Sequence, residues 1–468
     1  MADTELTNQS ATSVVAALRS HELGAVEVLD AAIQRIVAVD GEINALPMRC
    51  FDRAMDHAKS IDNRQEPESL LAGLPIAVKD YNDVGGVRTT YGSPIFADHV
   101  APRSDATVER LELNGANPIA KSNVPEWAGG HTFNPVNGMT RNPWNLGRSA
   151  GGSSGGSAAA LASGQVWLAT GNDLGGSLRT PAGFNGIVGL RPSPGIIPRG
   201  ERLQAFDTLW VEGPMARSVE DVALMLQAGA GHHADDPLSF DTSNSFTQAA
   251  ARPRAPRRIG FSTDLGVVPM AREIAEVTTR AVQGLVSAGV DVTEDLPNFT
   301  GAQDAFQTLR AVLLGTMMGE LLETERARIH TDIISNVERG FAVTPEQLFA
   351  AERTRWHLAQ RMRAFFGTHD LLICPTASIP AFPVETTYVT EIDGKPCETY
   401  IDWFAITFVL TLTACPVLSI PCGLTKDGLP VGLQLVGKPR GEADLLSAAR
   451  WIEDQLGFTR QLPIDPRP

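Results

Sequence analysis

The sequence has few cysteines, little positive charge and no long hydrophobic run. Its five cysteines among 468 residues form no C-x-x-C pair, so we expect neither a disulfide framework nor a zinc site. The net charge of −15 at pH 7 disfavours nucleic acid as a partner, because proteins that bind phosphates need a basic surface. The composition therefore argues against a nucleic-acid partner, and we expect neither a metal nor another cofactor.

Signals that would direct the chain to a membrane are also missing. The amino terminus, Met1 to Glu5, has no basic stretch followed by an apolar one, so no signal peptide is indicated. The longest apolar stretch, 404–420, contains threonines and Pro416, which favours buried core over a membrane span. Because reduced thiols are the default here, we expect a cytoplasmic protein without a membrane partner.

Strand and helix patterns alternate along the chain. Residues 10–47 and 218–230 show helical spacing of apolar residues, and Leu74 to Val78 is typical of a buried strand. The segment 122–150 is rich in Asn, Pro and Gly, which predicts a long ordered loop. Longer helices are expected at 302–328 and 345–367. Strands interleaved with helices predict an α/β fold.

Histidine is missing from the places where a serine hydrolase would be expected to have it. Ser153 lies in a Gly/Ser cluster at 151–157, and Ser177 follows Gly175-Gly176. No histidine lies within ten residues of either serine or of Lys79. A serine nucleophile then needs another base, and a buried lysine qualifies because burial lowers its pKa. The alternative for Lys79 is a side chain that reaches solvent from the end of a strand.

The glycine-containing segments have competing interpretations. A flexible linker would suit the composition of 151–157 but not the helix and strand predicted directly after it. A phosphate-binding loop would need G-x-x-x-x-G-K-[ST], which is absent. The turn at Gly175-Gly176-Ser177 lets successive N–H groups point to one place, where they could stabilise an anionic tetrahedral oxygen. A simple tight turn is the alternative.

Taken together, Gly151 to Ala160 and Gly171 to Ala182 resemble the amidase signature family. Further segments extend the resemblance over nearly the whole chain: 73–80, 189–193, 213–218 and 427–435. The resemblance implies a single domain, 1–468, whose large mixed twisted β-sheet core is covered by helices on both faces. Its parts would be N-terminal helices at 10–47, a signature core at 70–230, a variable helical substrate region at about 295–370, and C-terminal strands and a helix at 371–460.

The same resemblance implies roles for individual residues. Ser177 would be the nucleophile, and Ser153, preceded by a cis peptide bond, would connect it to Lys79. The oxyanion hole would be formed by backbone N–H groups of Leu174, Gly175, Gly176 and Ser177. Supporting residues would be Ser154, Asp173 and Arg179. Substrate-binding residues would be Trp127, Gly129, Gly130 and Phe133.

The sequence departs from the common family pattern at three positions. Leu174 stands where threonine is usual, Asn185 where cysteine is frequent and Arg191 where lysine is frequent. Leu174 would either shape the pocket or simply pack. The methionines of 302–330, Met317 and Met318, would either line an apolar acyl pocket or belong to the core.

These features predict an amidase that hydrolyses the carbon–nitrogen bond of a small-molecule amide, carbamate or hydrazide through an acyl-enzyme, with esterase side activity. One alternative is the glutamine-hydrolysing subunit of a tRNA-dependent amidotransferase, although the sequences at 178–181 and 193–198 differ from those expected for that subunit. An inactive binding protein of the same fold is a further alternative. A homodimer is left open.

Overall fold

The computed structural model describes residues 2–63, 69–128 and 130–468. The helices are α1 (Ala2–Asn8), α2 (Ala11–Arg19), α3 (Ala25–Ile43), α4 (Phe51–Asp62), α5 (Ala106–Leu113), α6 (Gly155–Ala162), α7 (Arg179–Asn185), α8 (Val219–Gly229), α9 (Phe246–Ala250), α10 (Arg272–Ser287), α11 (Ala302–Glu325), α12 (Thr331–Ala342), α13 (Pro345–Phe365), α14 (Ala405–Thr411) and α15 (Glu442–Leu456). Short 3-10 turns lie at Pro94–Phe96, Glu126–Ala128, Arg326–Arg328, Asp402–Phe404 and Phe458–Gln461.

The strands are mostly short and distributed over the whole chain. They are β1 (Met48–Arg49), β2 (Pro75–Lys79), β3 (Asn117–Ser122), β4 (Phe133–Asn134), β5 (Gly138–Met139), β6 (Arg141–Asn142), β7 (Asn145–Ser149), β8 (Leu168–Asp173), β9 (Val188–Arg191), β10 (Val211–Ala216), β11 (Arg258–Phe261), β12 (Asp291–Thr293), β13 (Leu371–Pro375), β14 (Glu391–Ile392), β15 (Lys395–Pro396), β16 (Val417–Leu424) and β17 (Pro430–Val436).

Across the described ranges, eleven strands form one mixed sheet in the order β1-β3-β2-β8-β10-β9-β16-β17-β13-β11-β12. β2 runs parallel to β3 and β8, whereas β10 is antiparallel to β8 and β9. The strands β2, β3, β8 and β10 are buried along their whole lengths, which requires cover on both faces of the sheet. The predicted α/β class with a large mixed sheet is confirmed.

Two large apolar clusters pack against this sheet. One gathers α2, α3, α6 and α8 around its first half. The other gathers α11, α13 and α14 with the segment 377–403 around its second half. The apolar stretch at 404–420 forms α14 and the start of β16 and is buried, as predicted. In the part of the chain that the structure describes, no helix has the length and hydropathy needed to cross a membrane.

Some elements differ from the sequence-based prediction. The predicted gap between the helices at 302–328 and 345–367 contains α12, whose buried Ile333 and Val337 pack on Leu314 and Met318 of α11. The helix α4 was also not predicted. The expected loop at 122–150 contains the short strands β4 to β7, which pair as two narrow antiparallel ribbons, β4 with β5 and β6 with β7.

Candidate active site

Lys79 is the last residue of β2 and is completely buried. Its backbone N–H donates to Thr170 Oγ1 of the neighbouring β8 at 2.8 Å, which fixes the end of the strand. Its Nζ lies 2.7 Å from Ser153 Oγ, 2.7 Å from Ser154 Oγ and 2.6 Å from Asn172 Oδ1. The alternative of a lysine that reaches solvent is therefore wrong.

The environment of Lys79 disfavours its positive charge. Burial lowers the pKa of Lys79 to about 7, although the carboxylates of Glu212 and Asp173 act in the opposite direction. The three contacts of Nζ described above are all to uncharged oxygen atoms. Neutral lysine is thus accessible near pH 7, and neutral lysine is the form that can accept a proton.

Ser153 and Ser154 belong to the loop that leads into α6. The peptide bond between Gly152 and Ser153 is cis, as the family resemblance implied. A Cβ built on Gly152 would lie 2.4 Å from Gly130 O, so the segment at 130–131 approaches the loop too closely for a side chain at 152. The N–H of Ser154 donates to Ser177 O at 3.3 Å. These contacts bring the two serine-containing segments together.

Ser177 lies in the turn between β8 and α7 and is half-buried. In the described residues its hydroxyl has no hydrogen-bond partner, and the N–H groups of Leu174, Gly175 and Ser177 have no acceptor. The N–H of Gly176 is different, because it donates to Asp173 Oδ1 at 2.9 Å. Three backbone N–H groups of this turn are thus without an acceptor in the described residues.

The Ser177 turn needs glycine at position 176. Gly176 has a φ of +128°, a region that residues with side chains rarely adopt. A Cβ there would lie 2.3 Å from Thr407 Oγ1 of α14. The turn therefore lies directly against α14, where Thr407 Oγ1 donates to Gly175 O at 2.7 Å.

Asp173 anchors the turn through two buried arginines. Arg179 donates from Nε to Asp173 Oδ2 at 3.0 Å and from Nη2 to Oδ1 at 2.9 Å, and Arg191 Nη1 lies 3.2 Å from Oδ1. Burial alone would raise the pKa of Asp173, but the two guanidinium groups outweigh it and hold that pKa below its usual range. Arg179 also donates to Thr407 O and to Gln434 Oε1, each at 2.8 Å. The carboxylate thus connects the Ser177 turn to α14 and β17.

A cleft with about 540 Å³ of empty volume opens beside Ser177. One wall consists of the segment 174–177 together with Gly130 and Gly152. The other wall consists of Phe306 and Arg310 of α11 and of the segment 400–404. Leu174 faces this cleft, so its apolar side chain shapes the cleft beside Ser177. The segment 400–404 was not predicted, because nothing in its sequence distinguishes it from other aromatic loops.

The remaining predicted substrate residues are divided between different places. Gly130 lines both this cleft and an adjoining chamber of about 470 Å³, and Phe133 lines only the chamber. Trp127 stacks on Tyr91 with ring centroids 5.5 Å apart and lines neither space. Gly129 lies outside the described residues. Met318 belongs to the core, whereas Met317 is 38% exposed and lies away from the cleft.

Two residues near Lys79 were missed by sequence reasoning. Asn172 contacts Lys79 Nζ. Its position next to Asp173 in a buried strand could have indicated that it lies near the site. Glu212 is a buried acid on β10, paired across the sheet with Asn172, and its carboxylate accepts from Trp210 Nε1 at 3.2 Å.

Among the residues that the structure describes, no group of three or more His, Cys, Asp or Glu side chains could hold a metal ion.

Comparison with known proteins gives consistent matches over the whole chain. The family model described as Amidase matches residues 27–446. An acylamidase of Rhodococcus erythropolis is 32% identical over 465 residues, covering 97% of this chain and 97% of the relative. A glutamyl-tRNA(Gln) amidotransferase subunit of Moorella thermoacetica is 33% identical over 475 residues, covering 95% and 96%.

The fold has equally extensive matches among solved structures. A bacterial aryl acylamidase belonging to the amidase signature enzymes superposes with a TM-score of 0.89 at 28% identity, covering 97% of this chain and 99% of that one. In sequence, the acylamidase at 32% identity and the amidotransferase subunit at 33% identity are similar to this chain to about the same degree.

Proposed function

The chain belongs to the amidase signature family, and from this premise we propose that it hydrolyses the carbon–nitrogen bond of a small-molecule amide through an acyl-enzyme on Ser177. Membership makes the chain an amide-hydrolysing enzyme. The small-molecule substrate and the catalytic roles are our proposal. It depends above all on one observation, the buried Lys79 Nζ at 2.7 Å from Ser153 Oγ.

The proposed reaction starts with a proton relay. Neutral Lys79 takes the proton of Ser153 Oγ, and Ser153 takes the proton of Ser177 Oγ as the latter attacks the carbonyl carbon. Ser177 Oγ has no hydrogen bond in the described structure, so its hydroxyl is free to turn. In the proposed reaction it rotates toward Ser153 when substrate binds. Such tightening is common when an enzyme binds its substrate.

The oxyanion is proposed to be stabilised by backbone donors. The N–H groups of Leu174, Gly175 and Ser177 are unoccupied, and removing one such donor costs about 10²–10³ in rate in other enzymes. The fourth predicted donor, Gly176, already bonds Asp173. We therefore assign it the role of holding the turn, together with Asp173 and Arg179.

The later steps return the protons to where they started. Lys79 and Ser153 pass the proton to the leaving nitrogen as the carbon–nitrogen bond breaks, which leaves the acyl group on Ser177. Water then attacks the acyl carbon and gives its proton to the relay, and Ser177 departs with a proton. An ester would follow the same route with an alcohol as the leaving group, so we expect esterase side activity.

The cleft favours an apolar acyl group. Phe306 stacks on Phe408 at 4.4 Å between centroids, and Phe404 packs edge-on against Phe408 at 5.8 Å. Fixed aromatic walls of this kind bind aryl or alkyl groups by excluding water. Carbamates and hydrazides of similar size remain within the proposed range.

A second candidate, a glutamine-hydrolysing subunit of a tRNA-dependent amidotransferase, is favoured by the similarity to the Moorella thermoacetica protein. A hydrolysis screen distinguishes the two. Anilides, alkyl amides, carbamates and esters of graded acyl size are offered to the purified chain, with glutamine as a separate substrate and Ser177→Ala as the blank.

We expect hydrolysis of at least one small amide by the chain alone, and a loss of at least about 10⁴-fold in Ser177→Ala with the fold retained. Turnover by Ser177→Ala close to that of the native chain would refute the acyl-enzyme. Activity confined to glutamine, and rising when an amidotransferase partner subunit is added, would favour the second candidate.

A further inference from the structure

Arg310 brings a positive charge into a cleft whose other described lining residues are uncharged. It lies on α11 one turn after Phe306, whose ring edge would be 3.1 Å from a Cβ on Gly175. Four residues of helix span about 6 Å along the axis. Arg310 therefore lines the same cleft as Ser177, one helical turn further from the proposed oxyanion site.

The guanidinium group is held by neutral partners. Its Nη1 donates to Asn336 Oδ1 at 2.6 Å and its Nη2 to the hydroxyl oxygen of Tyr400 at 2.7 Å. In the described part of the chain no carboxylate forms an ion pair with it. Two of its five N–H donors are engaged, so its orientation is fixed while its charge and remaining donors are available.

The carboxylates of the adjoining chamber are committed elsewhere. Glu126 accepts from Ser93 Oγ at 2.7 Å and from the His330 N–H at 3.2 Å. Asp332 accepts from the hydroxyl of Tyr388 and lies 3.2 Å from His330 Nδ1. In the described residues neither carboxylate lies within ion-pair distance of the Arg310 guanidinium group.

A purely structural role for Arg310 is poorly supported. Asn336 Nδ2 already donates to the Tyr400 hydroxyl at 2.7 Å, so α12 and the segment 400–404 are joined without the arginine. An oriented arginine without an acid is the arrangement that binds carboxylates in a bidentate manner.

We infer that Arg310 is a specificity-determining residue that binds a carboxylate group of the amide substrate. The inference depends on the proposed function for the identity of the reacting bond. It adds that the preferred substrate carries a negative charge beside an apolar segment, on either its acyl or its amine part.

Two pairs of matched substrates test the inference. On the acyl side, glutaric acid mono-4-nitroanilide is compared with pentanoic acid 4-nitroanilide. On the amine side, N-pentanoyl-4-aminobenzoate is compared with N-pentanoylaniline. We expect the native chain to show a kcat/KM about 10- to 100-fold higher for the charged member of one pair, as a charge-assisted hydrogen bond would give.

Variants of Arg310 distinguish a role in binding the substrate carboxylate from a purely structural role. Arg310→Gln should reduce that preference to about one, and Arg310→Lys should retain part of it. The matched control is Arg339→Gln, because Arg339 is an exposed arginine of α12 that joins α11 through Gln307 Oε1 at 2.6 Å. Arg339→Gln should keep the full preference. Thermal unfolding of each variant confirms that it folds.

A readout without turnover keeps the inference separate from the proposed function. Calorimetric titration with free glutarate should give a Kd at least about 10-fold weaker for Arg310→Gln than for the native chain. If no small amide is hydrolysed but this difference is found, the proposed function fails and the inference stands. The inference is overturned if the substrate pairs are hydrolysed and neither shows a charge preference, or if glutarate binds the native chain and Arg310→Gln alike. It is also overturned if Arg310→Gln keeps the charge preference or if Arg339→Gln loses it equally.

Discussion

At the scale of single residues, the chemistry of the site depends on how completely Lys79 is removed from water. A lysine of ordinary pKa would be neutral in only roughly one molecule in 2,500 at pH 7. With its pKa lowered to about 7 by burial, about half of the molecules hold the neutral form at that pH. Burial therefore makes neutral Lys79 available as the base of the proposed relay.

This shift predicts the pH dependence of hydrolysis. Because the proposed relay uses the unprotonated form of Lys79, kcat/KM should rise with pH through an apparent pKa of about 7 and level off above it. The measurement is kcat/KM for an uncharged amide from about pH 5.5 to about pH 9, a range that extends well to either side of that pKa, with stability checked at each pH. A profile that is flat over this range, or that still rises steeply at its alkaline end, would contradict the assignment.

A variant of Lys79 gives the matching control. Lys79→Ala should lower the rate by several orders of magnitude and remove the acid limb, with partial rescue at high pH where hydroxide replaces the base. A rate within about tenfold of the native value would exclude lysine as the base.

At the scale of elements, the turn between β8 and α7 determines where Ser177, the proposed nucleophile, lies. Asp173 bonds the N–H groups of Gly176 and Leu178, and its two arginine partners connect it to α14, β17 and β9. The tight turn at Gly175-Gly176-Ser177 was expected, because a local motif is readable from adjacent residues, whereas the catalytic roles of these residues stay a prediction. The sequence did not show that Arg191, noted only as a departure from the family pattern, reaches the same carboxylate.

We expect Asp173→Asn to be costly for both stability and activity. Removing the carboxylate leaves Arg179 and Arg191 as buried charges without an acid, and breaking a buried pair in this way costs about 3–5 kcal/mol. The free energy of unfolding, measured by denaturant titration, should fall by that order, and kcat should fall because the turn loses its anchor.

Asp465→Asn makes the same chemical change at the surface. Asp465 pairs with Arg35 at 2.7 Å but is 83% exposed, so its loss should cost under about 1 kcal/mol. If the two variants lost equal stability, the Asp173 network would have no special role.

The helices of the second half show where prediction from sequence failed at this scale. α11 and α13 were predicted close to their observed bounds, since both have long helical periodicity and α13 has a capping box at Thr344 and Gln347. α12 was missed because its buried residues are few. Its buried apolar residues, Ile333 and Val337, can be recognised as core only when α11 is seen to pack against them.

At the scale of the whole molecule, the sheet order decides which distant segments meet at the cleft. β8 carries Asn172 and leads into the Ser177 turn, while β2 carries Lys79 beside it. The second half of the sheet brings α11 and the segment 400–404 over the same turn. The site is therefore formed between the two halves of one continuous sheet.

The whole molecule also predicts independence from metals. Treatment with EDTA or 1,10-phenanthroline should leave the hydrolysis rate unchanged, because the proposed chemistry uses only Lys79, Ser153, Ser177 and backbone donors. The rate is measured after dialysis against each chelator and again after zinc is added back. Inhibition that zinc reverses would show that the relay is incomplete as proposed.

The order of amino acids alone was enough to identify the family, the α/β class and the side chains proposed for catalysis. These features are encoded in short glycine-containing segments whose local geometry follows from the residues themselves. Three further features became visible only in the folded chain: Lys79 is fully buried, Asn172 contacts it, and Phe306, Arg310 and Trp403 form the wall opposite Ser177. The wall residues lie far from Ser177 along the chain, and what brings them together is the packing of helices on both halves of the sheet, which no local pattern specifies.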